Sequence, residues 1–155
     1  MMVDEKIYEI FWQGPFEWDH IESHCNENHV LYQICGHHPL YGRDVLLYIG
    51  SSTAGIKERL RQHDEWVADE YDDIKIRLGC IRNFESWKDG QDPNDYTKLP
   101  KKIVEHIEAL LIYANQPAYN DRNKSSAERA KRIRVFNSEK SGHLLPEVSH
   151  KYYFD

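Results

Sequence analysis

The segment Lys101–Ala114, KKIVEHIEALLIYA, restricts the fold more than any other part of this chain. Its spacing predicts an amphipathic helix with Val104, Ile107 and Leu111 as the apolar stripe. Glu108 stands four residues after Val104 and three before Leu111, on the face that should meet the core. A buried carboxylate is costly unless it is paired or bound to a metal. Glu108 therefore calls for a cation, which is either a structural partner such as Arg59 or a lysine, or a hard metal ion.

At 155 residues the chain reads as one domain, with four Trp and ten Tyr to fill a core. No apolar run is long enough to span a membrane and no basic-then-apolar start resembles a signal peptide, so no membrane partner is expected. Cys25, Cys35 and Cys80 are an odd set without close pairing, which points to a reducing cytoplasm. The net charge of -6 argues mildly against nucleic acid as a partner. The charge is uneven, however. Residues 64–73 carry Asp64, Glu65, Asp69, Glu70, Asp72 and Asp73 with no Lys or Arg. Asn120–Arg134 carries Arg122, Lys124, Arg129, Lys131, Arg132 and Arg134 against Asp121 and Glu128, and local potential steers a polyanion more than the total does. Solvated surface is the plainer reading of both runs.

Along the chain, Lys6–Trp12 reads as a strand broken by Gly14-Pro15, and Glu17–Cys25 as a short helix. Val30–Cys35 and Asp44–Ile49 read as hairpinned strands around a loop over residues 36–42. Gly50-Ser-Ser-Thr53 supplies helix caps for a helix over 54–70, with Ile56, Leu60 and Val67 inward. Ile74–Ile81 alternates as a third strand. Asn83–Pro100 reads as a long loop, Ser125–Arg132 as a polar helix, and Ser138–Asp155 as a tail in which Tyr152-Tyr-Phe154 docks back. This order fits an α+β layer, a small antiparallel sheet packed by helices.

Three groups carry chemistry. Tyr32 and Tyr48 come from the paired strands, where tyrosine is also an ordinary sheet residue. Arg59 and His63, four apart on one helix, lie on the same side. An arginine there can fork an anionic oxygen, and a histidine can exchange a proton near neutral pH. Glu108 suits Mg²⁺, which keeps several waters and borrows the rest of its shell from substrate phosphate.

Taken in order, Val30-Leu-Tyr-Gln-Ile34, Tyr48-Ile-Gly50, Arg59-x-x-x-His63, Glu108-Ala-Leu-Leu-Ile112 and Pro117-x-x-Asn120 resemble the motif series of the GIY-YIG nuclease domain, over roughly 30–120. The first triplet keeps only its tyrosine, the loop between the two triplets is longer than is typical, and Asn83–Pro100 looks like an insertion. Trp12-x-Gly-Pro-Phe-x-Trp18 is similar to the lead-in of the restriction-enzyme branch.

The resemblance implies a three-stranded antiparallel sheet flanked by helices, with an N-terminal lead-in and, over 120–155, a basic helix and tail. It also implies a DNA endonuclease that cleaves phosphodiesters with one divalent cation, Mg²⁺ or Mn²⁺, per active site. Glu108 becomes the metal ligand and Tyr32 the candidate general base. Arg59 clamps the phosphate, Tyr48 and His63 position phosphate and water or relay a proton, and Asn120 orients the shell. Whether Tyr32 or His63 takes the proton stays open. The six bases of Asn120–Arg134 become phosphate contacts. Double-strand cutting requires a homodimer or two successive nicks. Restriction, homing, phage conflict and repair are all compatible roles.

Three rival readings stand beside this one. Gly50-Ser-Ser-Thr-Ala-Gly55 spaces two glycines like a phosphate-binding loop, but Ile56 occupies the lysine position. His20, His24, Cys25, His29, Cys35, His37 and His38 are dense, yet no Cys-x-x-Cys exists and no closed zinc spacing appears. A catalytically inactive module of the same family, binding nucleic acid or protein, is the alternative from a different functional class.

Overall fold

Strand-forming alternation recurs from one end of the chain to the other, and all of it feeds one sheet. The computed structural model describes residues 4–63, 74–84, 98–124, 126 and 130–154. Its strands are β1 (Lys6–Glu17), β2 (Leu31–His38), β3 (Gly42–Ser51), β4 (Lys75–Asn83), β5 (Ile133–Glu139) and β6 (Glu147–Ser149). Their spatial order is β3-β2-β4-β1-β5-β6. The helices among the described residues are a 3₁₀ helix at Trp18–Ser23, α1 (Ile56–Arg61), α2 (Lys101–Asn115) and α3 (Lys151–Phe154). None is long and apolar enough to cross a membrane.

This corrects the expected fold. The sheet is six-stranded, mixed and curled, not a small three-stranded antiparallel one. β2 pairs antiparallel with both β3 and β4, but β4 continues antiparallel into β1, and β1 runs parallel to β5 from Lys6↔Ile133 to Trp12↔Glu139. The parallel pair joins residues more than 120 positions apart, a separation that no local periodicity reports. Its cement is buried. Trp12 Nε1 donates to Asn137 Oδ1 at 3.0 Å, and Ser138 Oγ donates to Glu9 Oε2 at 2.8 Å.

Smaller expectations also shift. β1 does not stop at Gly14-Pro15. It passes through with a register shift between Gln13 and Phe16, so the proline sits where the ladder is already interrupted and needs no N–H. Gly14 takes φ 126, and a Cβ there would lie 2.8 Å from the Ile76 carbonyl oxygen. The stretch read as a tail supplies the last two residues of β5 and all of β6, and Tyr153 and Phe154 of α3 pack on Tyr113 at ring distances of 5.3 and 4.8 Å. Of the expected helix over 54–70, residues 56–61 are helical and 62–63 turn; 64–70, Val67 included, lies outside the described residues, as does the acidic run 64–73. Most of the expected polar helix at Ser125–Arg132 lies outside them too, and residues 130–132 turn into β5.

Both faces of the sheet are covered. On one, Tyr8, Ile10, Trp12, Leu31 and Val135 pack under Val104, Ile107, Leu110 and Leu111 of α2. On the other, Tyr32, Ile34, Leu47, Ile76 and Leu78 pack under Ile21, Ile56 and Leu60. The predicted stripe of α2 is therefore core, and truncating Leu111 to Ala should cost about 2–5 kcal/mol. α1 and α2 pack on opposite faces, and residues of both line one cleft with residues of the edge strand β3.

Candidate active site

At that edge, the segment after α2 docks as a short backbone rail. Gln116 ends the helix in the left-handed region at φ 49, with its N–H donating to the Ile112 carbonyl. Ala118 N–H then donates to Leu46 O at 3.1 Å, and Tyr119 N–H to Leu47 O at 2.7 Å. Asn120 completes the rail with its side chain. Ile49 N–H donates to Asn120 Oδ1 at 3.0 Å, and Asn120 Nδ2 donates to Ile49 O at 2.9 Å. One amide thus satisfies both backbone groups of a buried strand residue. Asn120 thereby ties the segment after α2 to β3.

A cleft opens beside this rail. Tyr48 and Ser51 of β3, Arg59 of α1 and Glu108 of α2 line it together with Asn120 and Arg122. Arg59 Nη2 donates to the Tyr48 hydroxyl at 3.3 Å, and Nη1 donates to Gln62 Oε1 at 2.6 Å. The loop before α1 is held locally, with Gly55 N–H donating to Ser52 Oγ. The helix cap is Gly55 itself, not a residue of the expected 50–53 stretch.

Glu108 is half-buried, on the cleft margin of the core stripe rather than inside it. Ser51 Oγ donates to its Oε2 at 2.7 Å. Burial raises its pKa, against a lowering from Ser51 and from the Arg59 charge. Among the described residues, no Lys or Arg forms an ion pair with it, so the structural pairing with Arg59 does not occur.

Behind Tyr48 lies a second layer. The Tyr32 hydroxyl is 2.6 Å from His63 Nε2. Tyr32 is 0 % exposed and His63 6 %. The three rings form a cluster, with centroids 6.0 Å apart for Tyr32–Tyr48, 5.5 Å for Tyr32–His63 and 4.7 Å for Tyr48–His63. Burial raises both phenols, opposed by the Arg59 charge. Burial and then Arg59 push His63 down to about 4, so its imidazole is neutral at neutral pH. Gly50 explains the last letter of its triplet: it faces Tyr32 across β2 and β3, and a Cβ there would lie 2.3 Å from the Tyr32 hydroxyl oxygen.

The structure thus gathers Tyr32, Tyr48, Arg59, His63, Glu108 and Asn120 in one neighbourhood, but in two layers. Tyr48, Arg59 and Glu108 face the cleft, while Tyr32 and His63 sit behind it. The basic stretch divides. Arg122 is exposed on the cleft, Lys131 and Arg132 are exposed, and Lys124 is half-buried. Arg129 lies outside the described residues. Arg134 is held by the carboxylates of Glu5 and Glu147 and by the Tyr152 hydroxyl. Sequence reasoning noticed Ser51 only as a helix cap and passed over Tyr119, which lines the same cleft. Tyr119's position next to Asn120 was the available signal.

Of the histidine-rich set, His29 is buried between Asn26 N–H and Gln13 Oε1, and His24 stacks on Phe16. Cys35 has metal-ligand types nearby, in Asp44 and His143, with donor atoms all within 4.8 Å of one another. The Arg77 guanidinium lies 3.8 Å from its sulfur and opposes a second cation. No family model, curated protein or solved structure matches this chain.

Proposed function

We propose that this chain is a divalent-metal-dependent DNA endonuclease of the GIY-YIG type. The observation that carries the reading is the convergence of Tyr48, Arg59 and Glu108 on one cleft, backed by the Tyr32–His63 pair, from four separate elements. A half-buried carboxylate with no ion pair among the described residues fits the ligand of a hard cation, so Glu108 would hold Mg²⁺ or Mn²⁺, with Ser51 fixing one oxygen. The bound ion would supply Lewis-acid polarisation of phosphoryl oxygen.

The remaining chemistry belongs to side chains. Arg59 offers a fixed positive charge to the phosphate where negative charge accumulates during hydrolysis. Tyr48 is the hydroxyl that meets substrate and water. Its proton traffic runs inward, through Tyr32 to His63 Nε2. A neutral imidazole is competent to accept, and phosphate bound at Arg59 cancels one of the two influences that depress its basicity. Tyr32 then serves as relay, since a buried phenol with a raised pKa is no resting phenolate.

The test is plasmid cleavage with Mg²⁺ by wild type and by Glu108→Gln. Wild-type nicks or cuts that disappear in the variant support the reading. An intact plasmid with both proteins, across varied DNA substrates, hands the site to the inactive binding module.

A further inference from the structure

The β2–β3 hairpin ends in Pro39-Leu40-Tyr41-Gly42, where Leu40 is 79 % exposed and Tyr41 66 %. A three-residue turn has no need of two large apolar side chains. Tyr152, the next most exposed, is engaged by Arg134 and Glu147. Tyr41 is not loose. Its ring stacks on His38 at 4.4 Å and 20°. His38 is itself fixed, its Nδ1 accepting the backbone N–H groups of Leu40 and Tyr41, each at 3.1 Å. Behind His38 stands Tyr119, at 5.6 Å and 40°. Tyr119 lines the cleft of Glu108 and Arg59, and its backbone is tied to β3. The three rings therefore form a ladder from the cleft wall to the hairpin tip.

We propose that this tip is a stacking platform for DNA, in which Tyr41, backed by His38 and Tyr119 and flanked by Leu40, takes up an unstacked nucleobase of the strand bound in the cleft. The proposal rests on the endonuclease reading and specifies how that site holds its substrate. Every base has a π-face, so such a platform grips a strand without reading its sequence. Apolar side chains beside it commonly wedge into base steps. Exposed Arg43, two residues on, supplies positive charge for a neighbouring phosphate. A protein occupant fits less well, because two side chains offer far less than the roughly 1,200 Å² of a stable protein interface.

The experiment uses the full chain with Glu108→Gln, to hold DNA uncut, and duplexes of a wild-type substrate carrying 2-aminopurine at successive positions. Tyr41→Ala is expected to weaken binding about tenfold and to abolish the fluorescence change at one position near the cut; Tyr41→Trp restores both. The salt dependence of binding should stay the same, because no phosphate contact is lost. If wild type binds and cuts while Tyr41→Ala matches it in affinity and fluorescence, the platform is wrong and the nuclease stands. If Tyr41→Ala instead converts a dimer to a monomer in sedimentation with unchanged 2-aminopurine signals, the tip is a self-contact and the proposal falls. A wild-type chain that neither binds nor cuts any duplex overturns both readings.

Discussion

The Tyr32 hydroxyl meets His63 Nε2 at 2.6 Å in the protein interior, while Tyr48 holds the cleft wall in front of them. The two phenols therefore have different work, and phenylalanine substitutions should separate it. Tyr32→Phe keeps the ring and removes the hydroxyl that meets His63 Nε2. It should cost about 1–3 kcal/mol of stability and lower the cleavage rate, with DNA affinity unchanged. Tyr48→Phe removes the hydroxyl that Arg59 holds and should weaken both affinity and rate. Single-turnover cleavage beside equilibrium binding measures the split. Equal effects on affinity from both variants would remove the two-layer reading.

Stability should fall in acid in two stages. Burial holds His29, and burial with Arg59 holds His63, at about 4 instead of 6.5. Between these values the unfolded chain binds protons that the folded chain refuses, so stability declines as pH drops from about 6.5 to about 4 and this contribution is then exhausted. Glu5 acts in the next window. Against burial, which raises it, hydrogen bonds from Arg134, Ser149 and Lys151 bring its carboxyl down to about 2. Its contribution is present above about 4.5 and lost as pH falls through 2. Urea unfolding at stepped pH reads this directly. His29→Gln, which keeps a polar group beside Gln13, should flatten the first stage only.

Glu108→Gln should separate stability from activity. Burial disfavours the charged carboxylate, and no ion pair among the described residues repays that cost. The neutral amide keeps the shape and can still accept from Ser51. The variant should unfold at the same denaturant concentration as wild type or a higher one, while losing Mg²⁺-dependent cleavage. A clear drop in the midpoint would mean that Glu108 is a structural residue.

Much of the site was legible because its parts are local. Tyr48-Ile-Gly50 ends a strand, Arg59 and His63 follow one helical turn apart, and Glu108 interrupts an apolar stripe. Each is a short-range pattern, and β2, β3, β4 and α2 followed from patterns of the same kind. The sheet as a whole was not legible. β1 meets β5 across almost the full chain, and Ile133-Arg-Val-Phe-Asn137 is too short an alternation to announce a strand beside so basic a stretch. Depth was equally hidden. Nothing in the order of residues says that Tyr32 lies behind Tyr48, because that follows from Gly50 leaving room for the ring and from the bulge after Ile34.

That room predicts a sharp intolerance at Gly50. An added methyl would meet the Tyr32 ring and hydroxyl at 2.3 Å, and that ring is fully buried. Overpacking of this kind costs about 1–3 kcal/mol, and here it must also disturb the Tyr32–His63 contact. Gly50→Ala should lower the thermal midpoint, and a second change, Tyr32→Leu, should recover part of the loss in a double-mutant cycle. Strict additivity of the two would mean that ring and glycine do not compete for that space.

The basic residues of 120–134 separate by what already holds them. Arg134 is bound to the carboxylates of Glu5 and Glu147, with Tyr152 against its guanidinium, so its charge is spent inside the protein. Reversing it leaves two acids facing a third and should destabilise the β5–β6 corner by about 3–5 kcal/mol. It would report nothing about DNA. Arg122 is exposed on the cleft. Arg122→Glu should leave the unfolding midpoint within about 0.5 kcal/mol of wild type. It should also weaken DNA binding at low salt and flatten the slope of affinity against salt by roughly one phosphate contact. Arg132→Glu, at an exposed turn residue, should act in the same direction if the strand runs on past the cleft. Binding isotherms across a salt series, set beside melting curves for the three variants, decide the matter. An unchanged slope in Arg122→Glu would take the phosphate backbone away from this side of the cleft.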